Sequence, residues 1–243
     1  MTTSTGRGAV PRMHRPDLLW RRFSPAAAAL VALAAGALSL SGGCSTASSL
    51  TDPVSRGPFF EVKNFTGVPH LPTTLRRVVL LPVASTPGVP VEALVSFDQV
   101  MLAELQRMSR FEVVVADPAA LERLCDRQRV LSADVLPPGF FPLVSREYAA
   151  DALMFVDVTA FSAYQPLVLG LRAKLASPDG NILWAFDTLF AASEPAVANA
   201  ARRHDRQRHP AADPGDISYT ALRSPTRFAD YAAAAAFATL PPR

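Results

Sequence analysis

The chain has 243 residues with 24 Lys+Arg against 21 Asp+Glu, a formal net charge of +3, and only two cysteines. Five arginines and one aspartate fall within residues 1–43, so the rest is nearly balanced, at 19 basic to 20 acidic residues. A balanced chain lacks the excess of cations that phosphate neutralisation needs, so nucleic-acid binding loses its main support, and two cysteines exclude a disulfide-built scaffold.

At the amino terminus Arg7, Arg12, Arg15, Arg21 and Arg22 face one acid, Asp17, and residues 25–40 (PAAAALVALAAGALSL) then run without a charge. This is a basic n-region followed by an apolar h-region, too short for a span that needs about 20 apolar residues. Ser41, Gly42 and Gly43 are the small residues a signal peptidase accepts, and Cys44 follows. The order resembles a bacterial lipobox, with Leu40 four residues before the cysteine where that group has leucine three before. The resemblance implies a diacylglycerol on the Cys44 thiol and cleavage before it; the alternative is an ordinary signal peptide with a cysteine nearby. Arg21-Arg22-Phe23 leaves general and twin-arginine export both open. Ser45, in place of aspartate, is compatible in lipoproteins with transfer to the outer membrane.

Residues 44–57 are rich in Ser, Thr and Pro and read as a flexible tether to a single domain over 58–243. FFEVKNFTGVPHLPTTL, interrupted by glycine and proline, is expected along the domain edge rather than as a central strand. VVLLPVA (78–84) reads as a strand covered on both faces. In 92–109, Leu94, Phe97, Met101, Leu105 and Met108 recur at helical spacing, with Glu92, Gln99, Gln106 and Arg107 outward. FEVVVA (111–116) reads as a second buried strand, and Asp117-Pro118 as an N-cap and first helical residue of a helix reaching about Gln128. Strand, helix, strand implies a parallel crossover. Cys125 lies on the apolar stripe of that helix, as an inert thiol would.

The segment 129–143 contains Pro137-Pro138-Gly139 and reads as a loop; Phe140 and Phe141 either tuck under it or offer a contact to a partner. A short helix over 143–150 leads to a third strand, 152–161. Residues 166–191 read as a hairpin: Leu167, Leu169, Leu171, Ala173 and Leu175 share a face, answered by Ile182, Trp184, Phe186 and Phe190, with Val168, Gly170, Arg172 and Lys174 opposite. Residues 197–209 form a helix with a basic end, and Ser224-Pro225 caps another over 226–240. Arg202, Arg203, Arg206 and Arg208 are a solvated helix end or a patch for an acidic partner or anionic head groups.

No nucleophile elbow, phosphate loop or metal-ligand spacing is present. His204, His209 and Asp205 lie among arginines that oppose a cation, and Asp151, Asp157 and Asp187 are expected at strand ends or on a wet face. No cofactor and no catalytic residue are expected. The phrases RRVVLLPV, FEVVVADPAALERLCDRQ and REYAADALMFVDVTAF with a hairpin behind them resemble a periplasmic domain shared by three groups. These are the curli-secretion lipoproteins (CsgG), the lipoprotein activators of penicillin-binding proteins (LpoB) and the amino-terminal domain of the Tol-system β-propeller protein (TolB). The likeness spans about 78–191 and leaves the carboxyl-terminal fifth, an irregular helical extension, unexplained. It implies a small α/β three-layer sandwich, its mixed sheet of about four to five strands faced by helices. It also implies a lipid-anchored, non-catalytic component that binds an envelope protein, compatible with a homo-oligomer. A curli-type secretion channel is the alternative, and an envelope enzyme assembled without a local motif is a third.

Overall fold

The computed structural model describes residues 53–209 and 221–243; Cys44 and the signal segment lie outside the described residues. In chain order the elements are α1 (Pro53–Arg56), β1 (Phe65–Gly67), β2 (Arg77–Leu80), β3 (Ala84–Ser85), α2 (Val91–Met108), β4 (Glu112–Val115), α3 (Pro118–Cys125), α4 (Phe140–Glu147), β5 (Ala152–Ser162), β6 (Val168–Ala176), β7 (Ile182–Ala191), α5 (Pro195–Arg208) and α6 (Pro225–Phe237). The turn α1 falls inside the stretch read as tether.

Seven strands form one mixed sheet in the order β1-β7-β6-β5-β2-β4, with β3 also on β5. The α/β class is as expected; the strand count is higher. The two extra strands, β1 and β3, are three and two residues long and leave no periodicity to read. The run VVLLPVA splits into β2 and β3 because Pro82 has no N–H for the ladder. Asp98 and Arg129 tie the break, Asp98 Oδ1 accepting from the Val83 amide at 2.6 Å and Arg129 donating to the Val83 carbonyl at 2.5 Å.

Strands β4, β2 and β5 are parallel, with α2 the crossover between β2 and β4. Strands β6, β7 and β1 continue antiparallel. Coverage explains the sequence patterns. On one face α2, α5 and α6 bring Phe97, Met101, Leu105, Val197, Phe228 and Phe237 onto Val78, Met154, Leu171, Trp184, Phe186 and Phe190. On the other, Leu121 and Cys125 of α3 with Phe140 and Val144 of α4 cover Val79, Leu153 and Phe155. Strands β2 and β5 are buried on both sides and read as unbroken apolar runs, whereas β6 is covered on one and alternates. β4 corrects its reading as a buried strand: it is the edge, with Glu112 and Val115 exposed. Ile182 is also corrected. It is 48% exposed because a register shift between Leu175 and Ala176 displaces it from the Trp184 and Phe186 face.

The caps fall where expected, Asp117 accepting from the Ala119 amide at 3.3 Å and Ser224 from Arg227 at 3.4 Å. α3 stops at Cys125, short of Gln128, since Asp126 turns left-handed at φ 58°. α4 starts earlier than expected: Gly139 at φ 77° makes the turn and Phe140 is already helical. The carboxyl-terminal helices are integral to the core, with Phe228, Ala232, Ala236 and Phe237 of α6 all buried. Among the described residues no helix is long and apolar enough to cross a membrane.

Two details pin the sheet. Gly170 lies opposite a bulge between Val158 and Ala160, where a Cβ would fall 2.4 Å from Thr159 Oγ1 and 2.9 Å from the Ala160 amide nitrogen. Asp151 Oδ2 accepts from the amides of Arg76 (2.8 Å) and Arg77 (2.9 Å) where β2 begins. The Arg77 and Arg76 amides hold the Asp151 carboxyl below its ordinary 3.8. A depressed folded value gives stability that is full above the ordinary one and lost as pH falls through the folded one. Asp151→Ala is therefore expected to lower the melting temperature at pH 7, with the gap to the parent closing below about pH 4; a gap independent of pH in thermal melts would refute the cap.

Candidate functional site

The four arginines of α5 do not form one free patch. Arg208 turns inward, its Nη2 at 2.5 and 2.6 Å from the two Glu104 carboxylate oxygens, and Arg107 also donates to Glu104. Glu104 is 2% exposed on the face of α2 that meets α5 and α6. His204 Nε2 lies 2.8 Å from Asp230 Oδ2, and Arg208 Nε is 3.9 Å from the same oxygen. Burial and the neighbouring Asp230 carboxylate push Glu104 up against the pull of Arg208 and Arg107. Asp230 is also desolvated, but hydrogen bonds from His204 and Glu104 with the His204 and Arg208 charges bring it down to about 2. Arg203 is exposed and lies 4.5 Å above the Phe59 ring. Arg202 and Arg206 are half-buried and both engaged, Arg202 donating to Asn199 at 3.4 Å. His209 pairs with Asp205 at 3.1 Å, alongside Arg227 at 3.2 Å, so the two histidines serve different carboxylates. Among the described residues no three His, Cys, Asp or Glu side chains are grouped to hold a metal ion.

Phe140 is 2% exposed, inside the α3/α4 core against Phe155, and is not available to a partner. Phe141 is half-buried beside it, covering Gly180 at the β6–β7 turn. Cys125 is buried, its Sγ 3.2 Å from the Leu121 carbonyl, and burial raises its thiol pKa. That is the environment of an unreactive thiol.

The expectation of a strand end or wet face fits Asp151 and Asp187 and fails for Asp157, which is fully buried in β5. It is tolerated because it is not unpaired. The Ser132 amide donates to it at 3.0 and 3.1 Å and the Ser132 hydroxyl at 2.6 Å, while Arg172 lies directly across the strand pair. Desolvation still raises its pKa, against those hydrogen bonds and the charges of Arg172 and Lys174. Arg172 also binds Asp187 at 2.7 Å, and Lys174 Nζ donates to the Ser132 carbonyl at 2.9 Å. These charges occupy the face of β6 and β7 opposite the leucine face.

Beside them lies a surface that sequence reasoning missed. Segment Phe59–Asn64 and the outer edge of β7 border a cleft of about 550 Å³, lined by Phe59, Phe60, Glu61, Lys63, Asn64, Asp187, Thr188, Leu189 and Ala196. A smaller hollow of about 190 Å³ adjoins it at Asn64 and Asp187, bordered by Lys174, Arg172, Ala185 and Thr66. Its floor is open because Ala185 sits between Lys174 and Thr66 across the three strands. The available signal was Leu189, an apolar residue on the polar parity of β7, 56% exposed.

No protein-family model matches the chain, and no curated protein does. Among solved structures it is similar to a PelC dodecamer from Paraburkholderia phytofirmans, at 15% identity and a TM-score of 0.41 over 74% of this chain and 96% of that one. It is also similar to lipoprotein GNA1162 from Neisseria meningitidis, at 17% identity and a TM-score of 0.36 over 47% of this chain and 79% of that one. A third likeness is to the C-terminal domain of LpoB from Salmonella enterica, at 12% identity and a TM-score of 0.32 over 47% and 81%.

Proposed function

We propose that the chain is a lipoprotein, anchored through Cys44 to the periplasmic face of the outer membrane, that acts by binding another envelope protein rather than by catalysis. The observation that carries the reading is the sequence order: basic n-region, apolar h-region, small residues, Cys44, then a Ser/Thr-rich link into an α/β domain. The domain's polar side chains support binding over chemistry. Its buried carboxylates are spent on structural partners, Asp157 on Ser132 and Glu104 on Arg208. The secretion-channel reading draws no support from the hairpin 166–191, because β6 and β7 are interior strands with the leucine face in the core. A membrane strand would need that face for lipid. Of the α5 arginines, Arg203 is the exposed one, whereas Arg202, Arg206 and Arg208 are half-buried.

Cys44→Ala is expected to lose incorporation of labelled fatty acid and release the protein from envelope membranes, with the melting temperature unchanged, since an anchor lies outside the core. Label retained on the Cys44→Ala protein would refute the anchor.

A further inference from the structure

Edge strands of a sheet are normally shortened, paired or blocked, because a bare edge is a template for another strand. β4 and β1 are four and three residues long, and Val68-Pro69 closes the latter. β7 is ten residues long, and β1 pairs with it only over Trp184–Phe186. One further contact follows: the Asp187 amide donates to the Asn64 carbonyl at 3.1 Å and Asn64 Nδ2 donates to the Asp187 carbonyl at 2.6 Å. Both backbone groups of Asp187 thus point away from β6, and by the period of a strand those of Leu189 do too. At Leu189 no hydrogen bond meets them among the described residues. The segment has diverged, and the Phe60 amide bonds the Ala196 carbonyl instead. The divergence opens the 550 Å³ cleft, which also holds Thr188, whose buried hydroxyl has no hydrogen-bond partner among the described residues.

We infer that this cleft takes an extended, uncharged, aliphatic-rich strand of a partner protein, added to the outer edge of β7 through the Leu189 N–H and C=O. An extended chain supplies an acceptor and a donor at the spacing Leu189 offers. Its side chains on one side would meet the exposed Leu189, and Phe59 and Phe60 form the opposite wall. Charge complementarity sets the composition. Among the lining residues Glu61 and Lys63 offset each other and Asp187 is paired with Arg172, so the lining itself carries no net sign; the nearest further cation, Arg203, lies over the Phe59 ring. A charged strand would lose hydration without gaining a counter-ion. With one pair of main-chain bonds and a short apolar wall, the contact is of the weak, transient kind. The inference rests on the reading that the domain works by binding, and does not need Cys44 to be acylated.

The test pans the full chain in detergent against a displayed library of unstructured nonapeptides. The expected winners are aliphatic and uncharged. Their binding should slow hydrogen exchange at the Leu189 amide, weaken about tenfold on Leu189→Pro, which removes the outward N–H, and persist in about 1 M salt. If Leu189→Pro does not fold, Leu189→Asp reads the same edge, with the same loss expected. Three outcomes overturn the inference: no enriched peptide, peptides that leave Leu189 exchange unchanged, and charged winners that salt releases, which would direct attention to Arg203. Protection of Leu189 that depends on protein concentration without peptide would replace the partner strand by a second copy. A failed panning with Cys44 acylation intact removes the cleft and leaves the anchored reading standing.

Discussion

Leu171→Asp is expected to abolish cooperative folding near neutral pH, with a loss of about 4 kcal/mol or more. Leu171 is fully buried in β6, paired with Val158 on β5 and Thr188 on β7, under the layer made by α2, α5 and α6. An aspartate there has only one neutral donor beside it among the described residues, the Thr188 hydroxyl across the strand pair, which does not repay the desolvation of a carboxylate, and the leucine it replaces leaves a cavity in a packed layer. Its neighbour Arg172 points the other way, so Arg172→Ala should cost about 1 kcal/mol, the scale of a partly exposed ion pair such as that with Asp187. A second effect is specific to this position. Arg172 also helps to hold Asp157 charged, and burial already raises the Asp157 pKa. A raised folded value means that stability is gained as pH falls below it, since the folded state then binds the proton more tightly than the unfolded one. The cost of Arg172→Ala should therefore shrink on acidification from neutral toward the ordinary carboxylate value of 3.8. Chemical denaturation of both variants at pH 7 and pH 5 checks the order and the trend; Arg172→Ala as damaging as Leu171→Asp would place the wrong face inside.

That pair of residues also shows why much of the fold could be read in advance. A strand covered on one side writes its register into the sequence, and the leucines from Leu167 to Leu175 did so. A strand covered on both sides writes only its existence, so VVLLPVA showed a buried strand but hid the break at Pro82. Short edges write neither. Phe65–Gly67 takes its place from the register against Trp184–Phe186, a contact more than a hundred residues away in sequence that no local pattern announces. The last helix was found by its Ser224-Pro225 cap, but its role was not, because an alanine-rich stripe is equally suited to solvent and to a close-packed core. Charge was the least readable layer. Arg208 and Arg203 belong to one basic run, yet one is tied to a buried glutamate and the other stands over an aromatic ring. What separates them is the 3.6-residue period of α5 together with a partner on α2, and only the first is present in the local sequence.

The second large effect follows from that separation. Glu104→Ala is expected to cost about 3–5 kcal/mol, the penalty for breaking a buried ion pair by removing one member. Without the carboxylate, Arg208 keeps, among the described residues, Asp230 at 3.9 Å, and Arg107 loses the Glu104 acceptor. Arg208→Ala should cost somewhat less, since Arg107 still reaches Glu104. Joint replacement, Glu104→Met with Arg208→Met, is expected to recover much of the loss, because two apolar side chains need neither hydration nor a partner in the space between α2 and α5. The comparison reads the pair itself rather than either residue, and equal damage from the double and single variants would show that shape, not charge, is what Glu104 supplies. It also decides how binding through the basic helix can be examined. Reversing Arg208 would set a glutamate against Glu104 in a buried site and unfold the α2–α5 contact, and any partner lost from such a variant would report on folding. Arg203→Glu gives up an exposed cation over Phe59, worth about 1 kcal/mol or less at such sites. Partner recovery that survives Arg203→Glu in low salt would take the contact away from α5 altogether, leaving the open edge of β7 to account for it.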